Sequence, residues 1–124
     1  MSYRILVIDD DDSHLAATSG ILEAHGYEVS THRGAFGATG RVLKEAFDLV
    51  LLDVNMPALS GEGLVPLLRD RSPSTRILLY SSNDEATLRH MAGRLGVEGW
   101  VCKGDPDALR DAVALSAREA RSGR

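Results

Sequence analysis

The fold of this chain is decided by Ile5-Leu6-Val7-Ile8-Asp9-Asp10-Asp11 and by the later stretch Leu49-Val50-Leu51-Leu52-Asp53. Each apolar run has the length and composition of a buried strand, and each ends in carboxylates. Ligands of open α/β sheets bind in the crevice beyond the carboxyl ends of the parallel strands, so both runs are expected to deliver their acids to one pocket. Because clustered carboxylates repel one another, the pocket is predicted to hold a divalent cation.

Five apolar runs of strand length alternate with segments of helical period along the chain, which predicts a parallel sheet covered by helices on both faces. One helical stripe includes Ala38, Val42 and Leu43. Ser13 is expected to cap the first helix, and Pro106 suits the first turn of the fifth. The strands are predicted at residues 3–9, 27–31, 48–53, 75–80 and 98–102.

Length and composition indicate one ordinary globular domain over residues 1–124, with a charged tail at 118–124 that is expected to fray. The net charge of -4 argues against nonspecific nucleic-acid binding, which requires clustered Lys and Arg. Cys102 is the only cysteine, so no disulfide can form within the chain. No signal-peptide core and no apolar run of membrane-spanning length is present, and we expect a cytoplasmic location.

Two further strand ends bring polar groups to the same crevice. The run Ile77-Leu78-Leu79-Tyr80 is followed by Ser81, and Trp100-Val101-Cys102 is followed by Lys103. With Mg²⁺ added, carboxylates, a hydroxyl and an ammonium group complement a phosphoryl group, because the cations neutralise its oxygens and the hydroxyl donates a hydrogen bond. Mg²⁺ suits a half-open acidic pocket, since it binds one or two carboxylates and keeps several waters.

With these residues in order, the sequence resembles the receiver domain of two-component response regulators over nearly its whole length. The matching pieces are Asp9-Asp10, Leu52-Asp53-Val54-Asn55-Met56-Pro57 with Gly61, Ser81 and Lys103. The resemblance implies a flavodoxin-like α/β fold, a doubly wound five-stranded parallel sheet in the order 2-1-3-4-5 with five helices.

The resemblance also implies how the acids divide their work. Asp53 would be the phosphoacceptor and also a ligand of Mg²⁺, with Asp10 the chief carboxylate ligand and Asp9 a supporting one. Asn55 would bind the metal through its backbone carbonyl, which leaves its side chain free to vary the kinetics. Asp11 and Asp12 are expected to be surface or capping residues.

A switch is implied by the remaining matched positions. Ser81 and Lys103 would contact the phosphoryl oxygens, and Trp100 would stand where such domains carry an aromatic residue that turns inward. The surface formed by the fourth helix, fifth strand and fifth helix would then change for a downstream protein. The implied phosphoryl donor is a sensor histidine kinase or a phosphotransfer protein, and the domain would be a monomer or a phosphorylation-dependent dimer with no direct nucleic-acid or membrane partner.

Three positions depart from the family pattern. Gly104 stands where a cis-proline usually follows the strand-end lysine, Trp100 is larger than the usual aromatic residue, and Ser82 replaces a common alanine. The leading interpretation is a signalling module that catalyses only its own phosphoryl transfer and dephosphorylation, and two alternatives stay open beside it. One, motivated by Gly104 and Trp100, is a degenerate receiver that binds a partner without phosphorylation. The other is a phosphoaspartate-type hydrolase, against which Asn55 argues because those enzymes carry a second aspartate there.

Overall fold

The computed structural model describes the backbone of residues 2–56 and 61–122, so Pro57 of the matched motif lies outside the described residues. The strands are β1 (Arg4–Asp9), β2 (Glu28–Arg33), β3 (Leu49–Asp53), β4 (Arg76–Ser81) and β5 (Gly99–Cys102). The helices are α1 (Asp12–Glu23), α2 (Ala38–Glu45), α3 (Gly61–Arg71), α4 (Glu85–Leu95) and α5 (Pro106–Ser122).

The strands form one parallel sheet in the order β2-β1-β3-β4-β5, which confirms the predicted topology. Ile8 of β1 pairs with Leu52 of β3, so Asp9 and Asp53 follow side by side at the carboxyl edge of the two central strands. The sequence had therefore predicted correctly where the acids meet.

Side-chain alternation divides the core between the two faces of the sheet. One buried cluster packs under α2, α3 and α4 and includes Leu52 and Leu79, and the other packs under α1 and α5 and includes Leu51 and Tyr80. Continuing this alternation, Asp9, Asp53 and Lys103 fall on the α1/α5 face. Ser81, Trp100 and Cys102 fall on the α2/α3/α4 face. The crevice thus receives Asp9, Asp53 and Lys103 from one face and the Ser81 hydroxyl from the other.

The first helix begins differently from the prediction. Its N-cap is Asp11, whose carboxylate accepts hydrogen bonds from the backbone N–H groups of Ser13 and His14. Ser13 lies inside the first turn, so the predicted Ser13 cap is wrong. Asp11 is the N-cap because its carboxylate satisfies two free N–H groups and also interacts favourably with the positive end of the helix dipole.

The last helix extends further than the sequence indicated. It begins at Pro106 as expected but continues to Ser122, so residues 118–122 are helical where we expected fraying. Arg76 of β4 forms an ion pair with Glu119 at 2.7 Å, a long-range contact that holds this part of the helix against the sheet. A membrane-spanning segment is not found among the helices at 2–56 and 61–122.

Candidate functional site

Three carboxylates meet at the carboxyl edge of the sheet, as predicted. Asp9, Asp10 and Asp53 each offer an oxygen, and these oxygens lie within 4.8 Å of one another. Asp9 and Asp53 are only 1% and 2% exposed, so water screens their repulsion poorly. Three hard oxygen donors in a crevice that holds more negative than positive charge form a donor set that fits Mg²⁺.

Lys103 supplies the positive charge of the pocket. Its Nζ lies 2.9 Å from Asp9 Oδ2 and 3.5 Å from Asp53 Oδ2, and it also lies 5.4 Å from the centre of the Tyr80 ring. Burial opposes the ammonium form, but the contacts with the two carboxylates outweigh it and raise the pKa of Lys103. The lysine is therefore charged and aimed at the acids across the physiological range.

The carboxyl of Asp53 is unusually hard to ionise in the absence of a dication. Burial raises its pKa from an ordinary 3.8 to about 6, and the neighbouring Asp9 carboxylate acts in the same direction. The Asn55 N–H and the Lys103 ammonium oppose this shift without cancelling it. A nucleophilic carboxylate at this position thus depends on added positive charge to be fully ionised near neutral pH.

Three of the strand-end side chains are each fixed by a local turn of the same kind. Asp9 Oδ1 accepts the N–H of Asp11, Asp53 Oδ1 accepts the N–H of Asn55, and Ser81 Oγ accepts the N–H of Asn83, each at 3.0 Å. Such turns form when a short polar side chain bonds the backbone two residues further on. For both aspartates the second oxygen, Oδ2, is left facing Lys103.

Asn55 connects Asp53 to the Ser81 hydroxyl. Its Nδ2 donates to Ser81 Oγ at 2.8 Å and to Asn83 Oδ1 at 3.3 Å. Its backbone N–H meanwhile bonds to Asp53. The Asn55 side chain is therefore bonded to the loop after β4, because the neighbouring strand end offers two oxygens within reach of its amide.

Gly104 follows Lys103 at the position where the family pattern has a proline. The Lys103–Gly104 peptide bond is trans, and Gly104 has a φ of 91°, a left-handed conformation that side-chain-bearing residues rarely adopt. The backbone N–H of Lys103 bonds to the Ser81 carbonyl at 2.8 Å, which fixes the start of this turn on the sheet. Despite the departure from the family pattern, Lys103 still reaches the acids.

His14 is a site neighbour whose contacts were not predicted. It follows the acidic turn on α1, and its Nδ1 accepts a hydrogen bond from Lys103 Nζ at 3.1 Å and lies 3.6 Å from Asp9 Oδ2. The histidine side chain is half exposed, so it also faces solvent at the mouth of the crevice. No spacing pattern signals this contact, because it joins α1 to the end of β5.

Trp100 packs on the opposite face of the sheet from Lys103. Its half-buried ring joins the cluster under α4, and the Arg89 guanidinium lies 5.9 Å from the ring centre. Cys102 packs against the same cluster and is partly buried. The residue that the resemblance implies as a switch thus lies on β5 and is packed against α4.

The structure therefore brings together Asp9, Asp10, Asp53 and Lys103, and it links Asn55 to Ser81 beside them. The residue that sequence reasoning left without a role is Asn83. Its signal was a repeated pattern, a polar residue two positions after each strand-end side chain.

Comparisons with known proteins agree with this arrangement. Residues 5–114 match the family described as the response regulator receiver domain. The chain is 32% identical to the response regulator protein FleR of Pseudomonas aeruginosa over 97% of its own length and 25% of FleR. It is 33% identical to the nisin biosynthesis regulatory protein NisR of Lactococcus lactis over 92% of its length and 48% of NisR. The chain thus spans a quarter to a half of these relatives.

Solved structures show the same fold. A CheY-like receiver domain from Methanospirillum hungatei superposes with a TM-score of 0.90 at 24% identity, covering all of both chains. The chemotaxis protein CheY4 of Vibrio cholerae superposes with a TM-score of 0.85 at 28% identity, covering 94% of this chain and 99% of CheY4. Family match, relatives and fold agree with the crevice geometry, and the chain belongs to the response regulator receiver domain family.

Proposed function

We propose that this receiver domain accepts a phosphoryl group on Asp53 from a phosphohistidine of a sensor histidine kinase or phosphotransfer protein, with Mg²⁺ bound at the acids. The observation that carries the proposal is the convergence of Asp9, Asp10 and Asp53 within 4.8 Å, with Lys103 Nζ 3.5 Å from Asp53 Oδ2. A protein that works in this way would act in the cytoplasm as a signalling module.

The residues of the metal site have separate tasks in this proposal. Asp10 would be the chief ligand, Asp9 a supporting one, and Asn55 would add its backbone carbonyl. When bound, the metal would neutralise phosphoryl oxygens and the excess negative charge of the pocket. The Asn55 N–H holds Asp53 Oδ1, so Oδ2 is the oxygen that faces the centre of the crevice.

The proposed phosphoryl transfer proceeds in the following steps. An Asp53 oxygen attacks phosphorus, the P–N bond to the donor imidazole breaks, and an acyl phosphate forms on the carboxylate. Lys103 leaves its contact with Asp53 to neutralise a phosphoryl oxygen, and the Ser81 hydroxyl donates to another. Water later attacks phosphorus, which releases inorganic phosphate and restores the carboxylate.

The signal would leave the site through Ser81. Drawing the Ser81 hydroxyl toward the phosphoryl group would move the loop before α4. Trp100, which lies on β5 and packs against α4, would respond by turning inward. The α4, β5 and α5 surface would then change for a downstream protein or a second copy of the chain. The Arg89 guanidinium over the Trp100 ring supports this route, because the contact joins α4 to β5.

The two alternatives receive less support. A degenerate receiver was motivated by Gly104, yet Lys103 contacts both acids across the trans peptide. A phosphoaspartate hydrolase needs an acid at Asn55, whose amide is instead bonded to Ser81.

Phosphorylation by a small acyl phosphate tests the proposal. Wild-type protein incubated with Mg²⁺ and acetyl phosphate is expected to gain one phosphoryl group, measured as intact mass. Asp53→Ala should gain none. Asp12→Ala is the matched control, since the Asp12 side chain is 72% exposed and pairs only with Arg33 among the ion pairs of the described residues. Gain of a phosphoryl group by Asp53→Ala, or none by the wild type, would overturn the proposal.

A further inference from the structure

The hydroxyl of Ser81 has both of its acceptor positions occupied. The Asn55 amide donates to Oγ at 2.8 Å, and the Asn83 backbone N–H donates to the same oxygen at 3.0 Å. A serine hydroxyl has two lone pairs and one hydrogen. Because both lone pairs receive N–H groups, the hydrogen must point away from Asn55 and Asn83. Ser81 is fully buried, so bulk water does not compete for these positions.

Of the two hydrogen-bond donors to Ser81 Oγ, only the one from Asn55 can be removed by replacing a side chain. The Asn83 donor belongs to the backbone, whereas the Asn55 donor is an amide that also bonds to Asn83 Oδ1 at 3.3 Å. Without the Asn55 amide, one lone pair of Ser81 is unoccupied and the Asn83 Oδ1 acceptor loses its partner. The Ser81 hydroxyl can then rotate, because only the Asn83 N–H still fixes the direction of its lone pairs.

Asn55 also spans the two faces of the crevice. Its backbone N–H bonds to Asp53 on the α1/α5 face, and its side chain bonds to Ser81 on the α2/α3/α4 face. One residue therefore sets the nucleophile and the hydroxyl relative to each other. Neither Gly104 nor Trp100 takes part in these bonds, so the departures at those positions leave this link in place.

We propose that Asn55 is a positioning residue that fixes the Ser81 hydroxyl as a hydrogen-bond donor for the phosphoryl group before that group arrives. The inference rests on the proposed function and adds to it a role for the Asn55 side chain. Asn55 does not need to touch the phosphoryl group, since it acts through Ser81. Pre-orientation accelerates transfer because the donor needs no reorganisation in the transition state.

A double-mutant cycle tests whether Asn55 acts through Ser81. Phosphorylation by acetyl phosphate with saturating Mg²⁺ is followed by intact mass in wild type, Asn55→Ala, Ser81→Ala and the double variant. Asn55→Ala is expected to slow phosphorylation about fivefold, the value of one ordinary hydrogen bond. In the Ser81→Ala background the same change should alter the rate less than about twofold, because the hydroxyl it orients is absent.

Equal slowing in both backgrounds would overturn the proposal, since Asn55 would then act independently of Ser81. Lys44→Ala, on the exposed side of α2, is the control for unspecific effects and should keep the wild-type rate. The Mg²⁺ concentration for half-maximal rate should stay unchanged in Asn55→Ala, because the backbone carbonyl remains. A purely structural role would instead shift that concentration or lower the free energy of unfolding.

A second measurement needs no phosphorylation. Hydrogen exchange at the Asn83 amide reports its bond to Ser81 Oγ, and we expect about fivefold faster exchange in Asn55→Ala than in wild type. Unchanged exchange would contradict the proposal. If wild-type protein gains no phosphoryl group, the proposed function fails, while the exchange rate still decides whether Asn55 holds Ser81.

Discussion

Asp53 shows how the chemistry of a single residue acts against the stability of the fold. Its carboxyl is 2% exposed, and burial raises its pKa to about 6 from an ordinary 3.8. In the unfolded chain the group ionises near its ordinary pKa, whereas in the folded chain the charged form is disfavoured. The folded state therefore binds more protons than the unfolded state between these values, and stability falls as pH rises through that window.

Asp53→Asn should remove this pH dependence. At pH 7.5 and without divalent cations, the variant is expected to be more stable than wild type by about 2 to 3 kcal/mol, since one pKa unit corresponds to about 1.4 kcal/mol. The difference should shrink as pH falls and disappear at about pH 3, below the ordinary pKa of 3.8, where the wild-type carboxyl is protonated in both states. Urea unfolding across about pH 3 to 8 measures it. Asp12→Asn, at an exposed position, should show no comparable gain, and a wild-type curve that is flat across this range would contradict the assignment.

At the scale of elements, Trp100 couples helix α4 to strand β5. The Arg89 guanidinium lies over the indole at 5.9 Å and is bonded in turn to Glu85 at 2.9 Å within α4. A cation–π contact at an exposed site contributes about 0.5–1 kcal/mol. This contact favours the position of Trp100 seen here and would oppose the proposed inward rotation.

Arg89→Ala should therefore loosen Trp100. Because Trp100 is the only tryptophan, its fluorescence reports this ring alone. Acrylamide should quench the fluorescence of unphosphorylated Arg89→Ala more strongly than that of wild type. After phosphorylation, the ratio of inward to outward Trp100 rings should be about two- to fivefold higher in the variant than in wild type. Arg94→Ala removes another α4 arginine, which pairs with Glu62, and should leave the fluorescence unchanged. Identical quenching in Arg89→Ala and wild type would show that Arg89 does not restrain the ring.

The sequence predicted the elements well where local signals and long-range packing agree. Buried β1, β3 and β4 were recognisable from apolar runs, but β2 extends to Arg33 because its pairing with β1 continues to Asp9. A polar edge strand carries no periodic signal for such an end. Leu43 fitted the predicted helical stripe, yet it is 48% exposed because α2 presents Ala38 and Val42 to the core instead.

The candidate site was predictable to a similar degree. Strand-end positions indicated Asp9, Asp53 and Lys103, since the edge of a parallel sheet collects them regardless of loop details. The Asn55–Ser81 bond and the His14–Lys103 contact join residues from different loops and helices. Their geometry depends on how the βα turns pack together, which residue types and spacing do not determine.

At the scale of the whole molecule, the acidic pocket links metal binding to global stability. Three carboxylates face a single lysine and repel one another. A cation that binds only to the folded state therefore stabilises that state by mass action. At a Mg²⁺ concentration a hundredfold above its dissociation constant, the free energy of unfolding should rise by about 3 kcal/mol.

Thermal or urea unfolding with and without MgCl₂ measures this gain. NaCl at equal ionic strength should give little of it, because screening does not replace coordination. Asp10→Asn should lose most of the stabilisation at the same Mg²⁺ concentration, while Asp12→Asn should keep it. A response to Mg²⁺ that is the same in both variants would place the cation elsewhere.

Among the three neighbouring acids, Asp53 is the one proposed to carry the phosphoryl group. Borohydride reduction converts an aspartyl phosphate to homoserine, so peptide mass spectrometry after reaction with acetyl phosphate and Mg²⁺ identifies the modified residue. Homoserine is expected at position 53, with unmodified aspartates at 9 and 10. Homoserine at position 9 or 10, or no homoserine in protein that has gained a phosphoryl group, would contradict it.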